Sequence, residues 1–306
     1  MGKVTVFGSF VVDLMGRTPH LPVPGETVKG SMFKMGPGGK GFNQGVAAHK
    51  AGADVTMVTK LGRDTFAGVA LGAMDELNMK KDKILFTDDV ETGAALIMVD
   101  ENTSQNEIVV ILGSCNTITD EEVESITDEL KESEYLLTQL ETNISAVKKV
   151  TALAKELGVK VILNTAPVQT VEDEIYNGLY LVTPNEVEAE ILTGIVIDSK
   201  ENADKAADWF FAKGVQNVLI TLGGRGVYIA TAEKREIIPA YRVKAVDTTG
   251  AGDAFNGGLV AGLAEGKDIW ESAKFANALA ALSVQRLGTT PAMPWREEIE
   301  QFMKEH

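Results

Sequence analysis

Apolar positions recur along this chain in two rhythms that take turns. Short runs rich in β-branched residues predict strands at 3–8 (KVTVFG), 54–59 (DVTMVT), YLLTQL, VKVILNTA, LYLVTP and VQNVLITLG. Between them, apolar residues at helical spacing predict helices at 42–51, ending near Gly52, and at 66–77. A single amphipathic helix is predicted over 119–132, with Thr119 as N-cap and acids in its first turn. Further helices are predicted at ISAVKKVTALAKELG, closed by Gly158, at EVEAEILTG and at ADKAADWFFAKG. Strands without alternating polar positions are buried on both faces. Their alternation with helices predicts an α/β fold: a mostly parallel sheet with helices on both sides.

Two stretches break this rhythm. Residues 10–35 carry Pro19, Pro22 and Pro24 and then the alternating ETVKGSMFKM. Residues 92–99 and 107–112 flank the polar DENTSQN, a hairpin signal. Together, about 10–35 and 92–113 are expected to form a small separate sheet, a lid over one end of the main one. No low-complexity segment or polar linker divides the chain, so residues 1–306 read as one domain.

Composition narrows the function. The net charge of −15 and the absence of any Lys/Arg run argue against a nucleic-acid binder. An anionic ligand would have to be attracted locally against this field, by helix N-termini or a bound cation. The one cysteine, Cys115, excludes an intrachain disulfide, fits a reducing cytoplasmic compartment and reads as a buried structural residue. His20, His49 and His306 are scattered and suggest neither a metal site nor a triad. The N-terminal stretch lacks a signal-like apolar segment. No segment approaches the roughly 18–20 apolar residues of a membrane span. Gly2 suggests myristoylation, but the pattern needs Ser or Thr at position 6, which is Val6.

Four segments carry candidate chemistry. PGGKGFNQG (37–45) is a glycine-rich turn before a helix. It lacks the Lys-Ser/Thr of a Walker loop, and reads either as a plain turn or as a polar cradle with Lys40 and Asn43 as donors. VDTTGAGDAFNGGLVAGL (246–263) opens an apolar helix on GAGD. N–H groups of Gly250, Ala251 and Gly252 would face outward there as an anion hole, with Asp253 beside them in the first turn. TPNEVEAE (183–190) has Asn185 as a helix cap. Glu186 and Glu190 share a face and Glu188 points elsewhere, so the segment is either a solvated acidic start or a place for magnesium near phosphates. ITLGGRGVYIA (220–230) is a strand, a glycine turn and a strand, either an ordinary hairpin or backbone offered to a nucleotide. No G-x-G-x-x-G follows the first strand, which argues against a dinucleotide-binding oxidoreductase.

In this order the segments resemble the ribokinase-like (PfkB-type) carbohydrate kinases. GGKGFNQGVAAHKAG is similar to that family's N-terminal signature and DTTGAGDAFNGGL to its C-terminal one. PGETVKG, QLE at 139–141, LITLGGRGV and RLGTTPAMPWREEIEQF extend the likeness over nearly the whole chain, toward the family's ribokinases. The resemblance implies ATP-dependent phosphorylation of a sugar hydroxyl, D-ribose to D-ribose 5-phosphate first. The alternatives are another sugar (a ketohexose or deoxyribose) or a nucleoside as acceptor, or a non-catalytic sugar-binding regulator. It makes Asp253 the general base, and Gly250, Ala251 and Gly252 the stabilisers of the transferring group. It gives Asp13, Gly39, Lys40, Asn43 and Glu141 to the sugar. Val11 stands in the same strand where the pattern often has a polar residue such as Asn, and Val cannot donate to a hydroxyl. It places Asn185 and Glu188 near phosphates and Mg²⁺, and Thr221, Gly223, Gly224, Gly226 and Asn277 at the nucleotide. It implies an activating K⁺ held by Asp247, Thr249, Ser283, Arg286, Gly288 and Ala292, mainly through carbonyls, and a homodimer formed through the lid.

Overall fold

The computed structural model describes residues 2–103 and 105–306. Strands β1 (Lys3–Phe7), β2 (Val11–Thr18) and β3 (Met32–Gly38) come first, then helix α1 (Lys40–Lys50) and β4 (Asp54–Gly62). Helix α2 (Ala67–Glu76) precedes β5 (Ile84–Thr87), β6 (Thr92–Asp100) and β7 (Asn106–Gly113). The middle of the chain runs α3 (Asp120–Glu124), α4 (Thr127–Glu132), β8 (Tyr135–Gln139), α5 (Ile144–Glu156), β9 (Lys160–Asn164) and β10 (Leu181–Val182). It continues through α6 (Glu186–Thr193), α7 (Lys200–Ala212), β11 (Val218–Thr221), β12 (Val227–Ala230) and β13 (Arg235–Ile238). Helices α8 (Ala251–Ala264), α9 (Ile269–Ser283) and α10 (Arg296–Glu305) close it.

The main sheet has the order β13-β12-β11-β10-β9-β8-β1-β4-β5, parallel from β11 to β5 and antiparallel at the β12 and β13 edge. Its strands read as continuous apolar runs because alternate residues enter different cores. Val4 and Val6 of β1 join the cluster under α1, α2, α8, α9 and α10, whereas Phe7 joins the one under α3–α7. Leu137 and Leu136 of β8 divide in the same way.

The small separate sheet is present, ordered β3-β2-β6-β7. Two predictions of detail fail. The helix expected over 119–132 is two short helices. Thr119 caps the first with a capping box to Glu122, but Ser125 and Thr127 hydroxyls then donate back to Glu122 and Glu124 carbonyls, and the chain turns at Ile126, which is buried. The strand expected from LYLVTP keeps strand geometry only at Leu181–Val182, because the chain turns toward the cap at Asn185.

The glycines of α8 have a packing role beyond its start. A Cβ on Gly257 would lie 2.4 Å from the Ala47 Cβ, and one on Gly258 3.1 Å from the Ala276 Cα. They let α8 lie nearly backbone to backbone between α1 and α9. This brings the beginnings of α1 and α8 together.

Candidate active site

The carboxyl ends of the parallel strands converge where α1 and α8 begin, the usual place for a site in such sheets. Each strand delivers a polar residue as it leaves the sheet: Ser9 after β1, Gln139 from β8 and Glu141 just after it, Asn164 from β9, Thr183 after β10 and Thr221 from β11. Helix α1 starts at Lys40 because Gly39 (φ 90°) turns the chain against the Ser9–Val11 backbone, where a Cβ would meet atoms at 2.9 Å. Glu141 accepts from the Lys40 N–H at 2.8 Å and from the Ser9 hydroxyl at 2.5 Å, which ties the start of α1 to the end of β8.

Asp253 is 7% exposed and lies at the floor of a polar cavity of about 170 Å³. That cavity is also lined by Lys40, Asn164, Asn185, Glu188, Thr248, Gly250–Gly252 and Asn256. Gly250 caps α8 in the left-handed conformation (φ 75°). The Ala251 N–H is engaged with the Thr248 carbonyl at 3.2 Å, while those of Gly250 and Gly252 make no hydrogen bond among the described residues. A Cβ on Gly252 would meet nothing within 4 Å, so this backbone is open to a ligand. Burial raises the Asp253 carboxyl above the usual carboxylate range, opposed by the Lys40 charge and by hydrogen bonds from Gln44 and Asn43. Burial works against the Lys40 ammonium, but Asp253, Glu141 and Glu188 outweigh it and hold its pKa above the ordinary value.

On one side of this floor lies Asp13. Burial, then the charges of Glu141 and Asp253, push its carboxyl up to about 6. Its strand packs so closely on β3 that a Cβ at Gly38 would meet Asp13 Oδ1 at 2.2 Å. Val11 is buried at the start of the same strand, between Gly38 and Gly93, and adds no polar group. On the other side, the cavity continues through Asn185, Thr221, Thr248, Ala251 and Gly252 into a larger cleft of about 670 Å³. Gly223, Gly224, Gly226 and Asn277 line this cleft beside Val243, Phe255, Ala280, Ala281 and Val284.

Asn185 and Glu188 face the first cavity while forming a capping box: Asn185 Oδ1 accepts from the Glu188 N–H at 2.8 Å, and Glu188 Oε2 from the Asn185 N–H at 2.9 Å. Glu186 instead pairs with Arg225. Next to the α8 start, Asp247 accepts from the N–H groups of Thr249 and Gly288, each at 2.9 Å, and so clasps two loops together. Burial raises its carboxyl, but these hydrogen bonds and the Arg17 charge leave it below the ordinary value. The Ser283 hydroxyl donates within its own helix to the Ala280 carbonyl, and the Arg286 guanidinium turns to Glu298. Ala292 is buried in the same loop. Cys115 is fully buried, with its sulfur against the Phe10 backbone, Thr59 and the Lys60 carbonyl, and burial raises its thiol pKa.

Sequence reasoning missed Gln44, Asn164, Thr183, Asn256 and the apolar wall of the cleft. A signal was available for the polar ones: each sits within or next to an otherwise apolar, buried element, where a polar side chain needs a partner.

The family model of the pfkB carbohydrate kinases matches residues 1–296, and the chain belongs to that family. It is 38% identical to a ribokinase of Haemophilus influenzae over 301 residues, covering 98% of each chain. Its fold matches the crystal structure of a ribokinase from Thermotoga maritima with a TM-score of 0.92 and 35% identity, over 99% of this chain and 100% of that one. A structure of Arabidopsis thaliana ribokinase complexed with ribose and ATP matches with a TM-score of 0.92 and 28% identity, over 99% of each. Among the described residues, no helix is long and apolar enough to cross a membrane.

Proposed function

We propose that this carbohydrate kinase transfers the γ-phosphoryl group of ATP to the 5-hydroxyl of D-ribose. The observation that carries the reading is the position of Asp253: a buried carboxylate beside unpaired backbone N–H groups at a helix start, in a polar cavity that opens into an apolar cleft. Asp13, Asn43, Glu141 and the turn at Gly39 would hold the sugar, because vicinal hydroxyls donate well to a carboxylate. Asp253 would accept the proton of the attacking hydroxyl, and a carboxyl raised above its ordinary pKa is a stronger base for that step. The N–H groups of the α8 start and Lys40 would meet the charge spread over the transferring group. The purine would lie in the apolar cleft, with its phosphates toward Gly252.

Magnesium fits an oxygen-only setting. Glu188 faces the cavity, and no cluster of three or more metal-ligating side chains occurs among the described residues, so most of the ion's shell would be phosphate and water. Bound there, it would neutralise phosphate charge. A potassium ion would rest on the Asp247 carboxylate and on carbonyls of Thr249, Ser283 at the end of α9, Arg286, Gly288 and Ala292. Rates that fall in buffer free of sodium and potassium, and recover with potassium, would support it; equal rates would exclude it.

The small sheet serves in this reading as a lid. Leu14 opposes Met35 and Leu96, and Leu96 opposes Val109, so these residues share the face turned away from Asp13. Phe33, Met35, Leu96, Val109 and Ile111 are exposed there, an apolar face suited to a second copy of the chain.

Because Val11 offers no donor, an acceptor with one hydroxyl fewer, 2-deoxyribose, is the second reading. A panel of ribose, 2-deoxyribose, fructose and adenosine at fixed ATP decides between them. Ribose turnover no greater than a solvent blank, with turnover of another acceptor, would overturn the ribose reading.

A further inference from the structure

Asp253 is gripped by two primary amides, and each amide is itself held from behind. Gln44 Nε2 donates to Asp253 Oδ1 at 2.9 Å and to Asn164 Oδ1 at 3.0 Å, and Gln44 Oε1 accepts from Gln139 Nε2 at 2.7 Å. Asn43 Nδ2 donates to Asp253 Oδ2 at 3.1 Å, and Asn43 Oδ1 accepts from the Thr290 hydroxyl at 2.8 Å. A primary amide turned end for end keeps its shape but exchanges donor for acceptor. Turned, either amide would set a carbonyl oxygen against the carboxylate. Gln139 and Thr290 oppose that turn by placing a donor at the carbonyl end. All five side chains are buried, so water does not stand in for a missing partner.

Two details show that the outer partners do more than fill space. Gln139 Oε1 is buried with no hydrogen-bond partner among the described residues, so this amide is kept in place for its N–H end. Gly8 makes room for it: a Cβ there would lie 2.0 Å from that oxygen. Thr290, for its part, belongs to the loop in which Gly288 is clasped by Asp247, and its neighbour Thr289 touches the turn at Gly250. One loop therefore reaches both the α8 start and, through Asn43, the carboxylate.

We propose that Gln139 and Thr290 are positioning residues for phosphoryl transfer, locking the Gln44 and Asn43 amides donor-first onto Asp253. The remaining lone pairs of the carboxylate are then left for the acceptor hydroxyl. The inference rests on the reading of Asp253 as the base.

The test compares Thr290→Val, Thr290→Ser, Gln139→Met and Asp253→Asn, measuring kcat, both KM values and the pH profile, with a thermal melt to confirm folding. The other charges facing Asp253 are Lys40 of α1, Asp13 of β2, Glu141 after β8 and Glu188 of α6, all unchanged in the Thr290 and Gln139 variants. Thr290→Val and Gln139→Met should each lower kcat about tenfold and move the acidic limb of the profile to higher pH, with the KM for ATP unchanged. Thr290→Ser, which keeps the hydroxyl, should stay within about twofold of the parent. Parental kcat and acidic limb in both Thr290→Val and Gln139→Met would overturn the proposal, as would Thr290→Ser as impaired as Thr290→Val. If one variant fails to fold, the other decides alone. Turnover retained in Asp253→Asn would instead remove the base itself, a failure distinct from that of its supports.

Discussion

On the proposed reading, the acceptor end of the site draws on charged and amide side chains from several elements, Asp13 of β2, Lys40 and Asn43 of α1, Glu141 after β8 and Asp253 of α8, and the nucleotide end on the cleft beside α8. That cleft has an apolar wall of Val243, Phe255, Ala280, Ala281 and Val284 and a glycine turn at 223–226. The contrast follows from what each end would bind. A small polyol is recognised by a few directed hydrogen bonds, so each group matters singly. A flat purine is recognised by area and by backbone, so the energy is spread over many contacts. Substitutions should therefore act steeply at one end and gently at the other.

The largest effect belongs to the boundary between them. Asp253→Asn should lower kcat by about a thousandfold while sugar binding, followed by calorimetry, is largely retained. Comparable turnover in the variant would remove Asp253 from the mechanism.

Asp13→Asn should raise the sugar KM by roughly 10- to 100-fold, because a hydrogen bond to a charged group is worth about 1.5–3 kcal/mol, and leave the KM for ATP unchanged. In the parent, the sugar KM should also rise as pH falls through about 6, where Asp13 gains its proton, and the Asn variant should lack this dependence. An ATP KM that moves with the sugar KM would break the separation of the two ends.

The same carboxylate has a cost in the free protein. Its folded pKa, about 6, lies above the ordinary value of 3.8. Its contribution to stability is therefore fully present below the unfolded pKa and is lost as pH rises through the folded one. Asp13→Asn should accordingly be more stable than the parent near neutral pH, by on the order of 2 kcal/mol and with a higher melting temperature, and differ little near pH 4. An unchanged melt near neutral pH would mean that Asp13 is better solvated than its burial implies.

The smallest effect is expected in the cleft. Val243→Ala removes apolar contact worth about 1–1.5 kcal/mol and should raise the KM for ATP by about five- to twelvefold, with kcat and the sugar KM unchanged. A loss as large as that of Asp13→Asn would show that the cleft, too, depends on single contacts.

Much of this was legible beforehand. GAGD marked the start of α8 with Asp253 in its first turn, and the Thr119 and Asn185 caps were placed correctly from residue type and spacing. The break at Ser125–Ile126 was not, because the hydroxyl back-bonds and the burial of Ile126 compete with a helical pattern that stays intact in the sequence. Glu188 was read as either a solvated acid or a phosphate-side residue; it caps α6 and faces the cavity at once. Gly250 and Gly252 were read as part of an anion hole, whereas Gly257 and Gly258, given no role of their own, serve helix packing, which no local pattern distinguishes from ligand access.

The sequence by itself determined the α/β architecture, the small extra sheet and the family's two signatures, because periodicity and glycine-rich turns are local properties of the chain. Only the tertiary structure decided which polar groups meet. Asn43 and Asp253 are 210 residues apart, Gln44 and Gln139 are 95, and Asn43 and Thr290 are 247. They touch because α1 and α8 pack at glycine distance over the ends of the same strands. Hydrogen-bond partners are a matter of angstroms in space, and spacing along the chain carries no record of them.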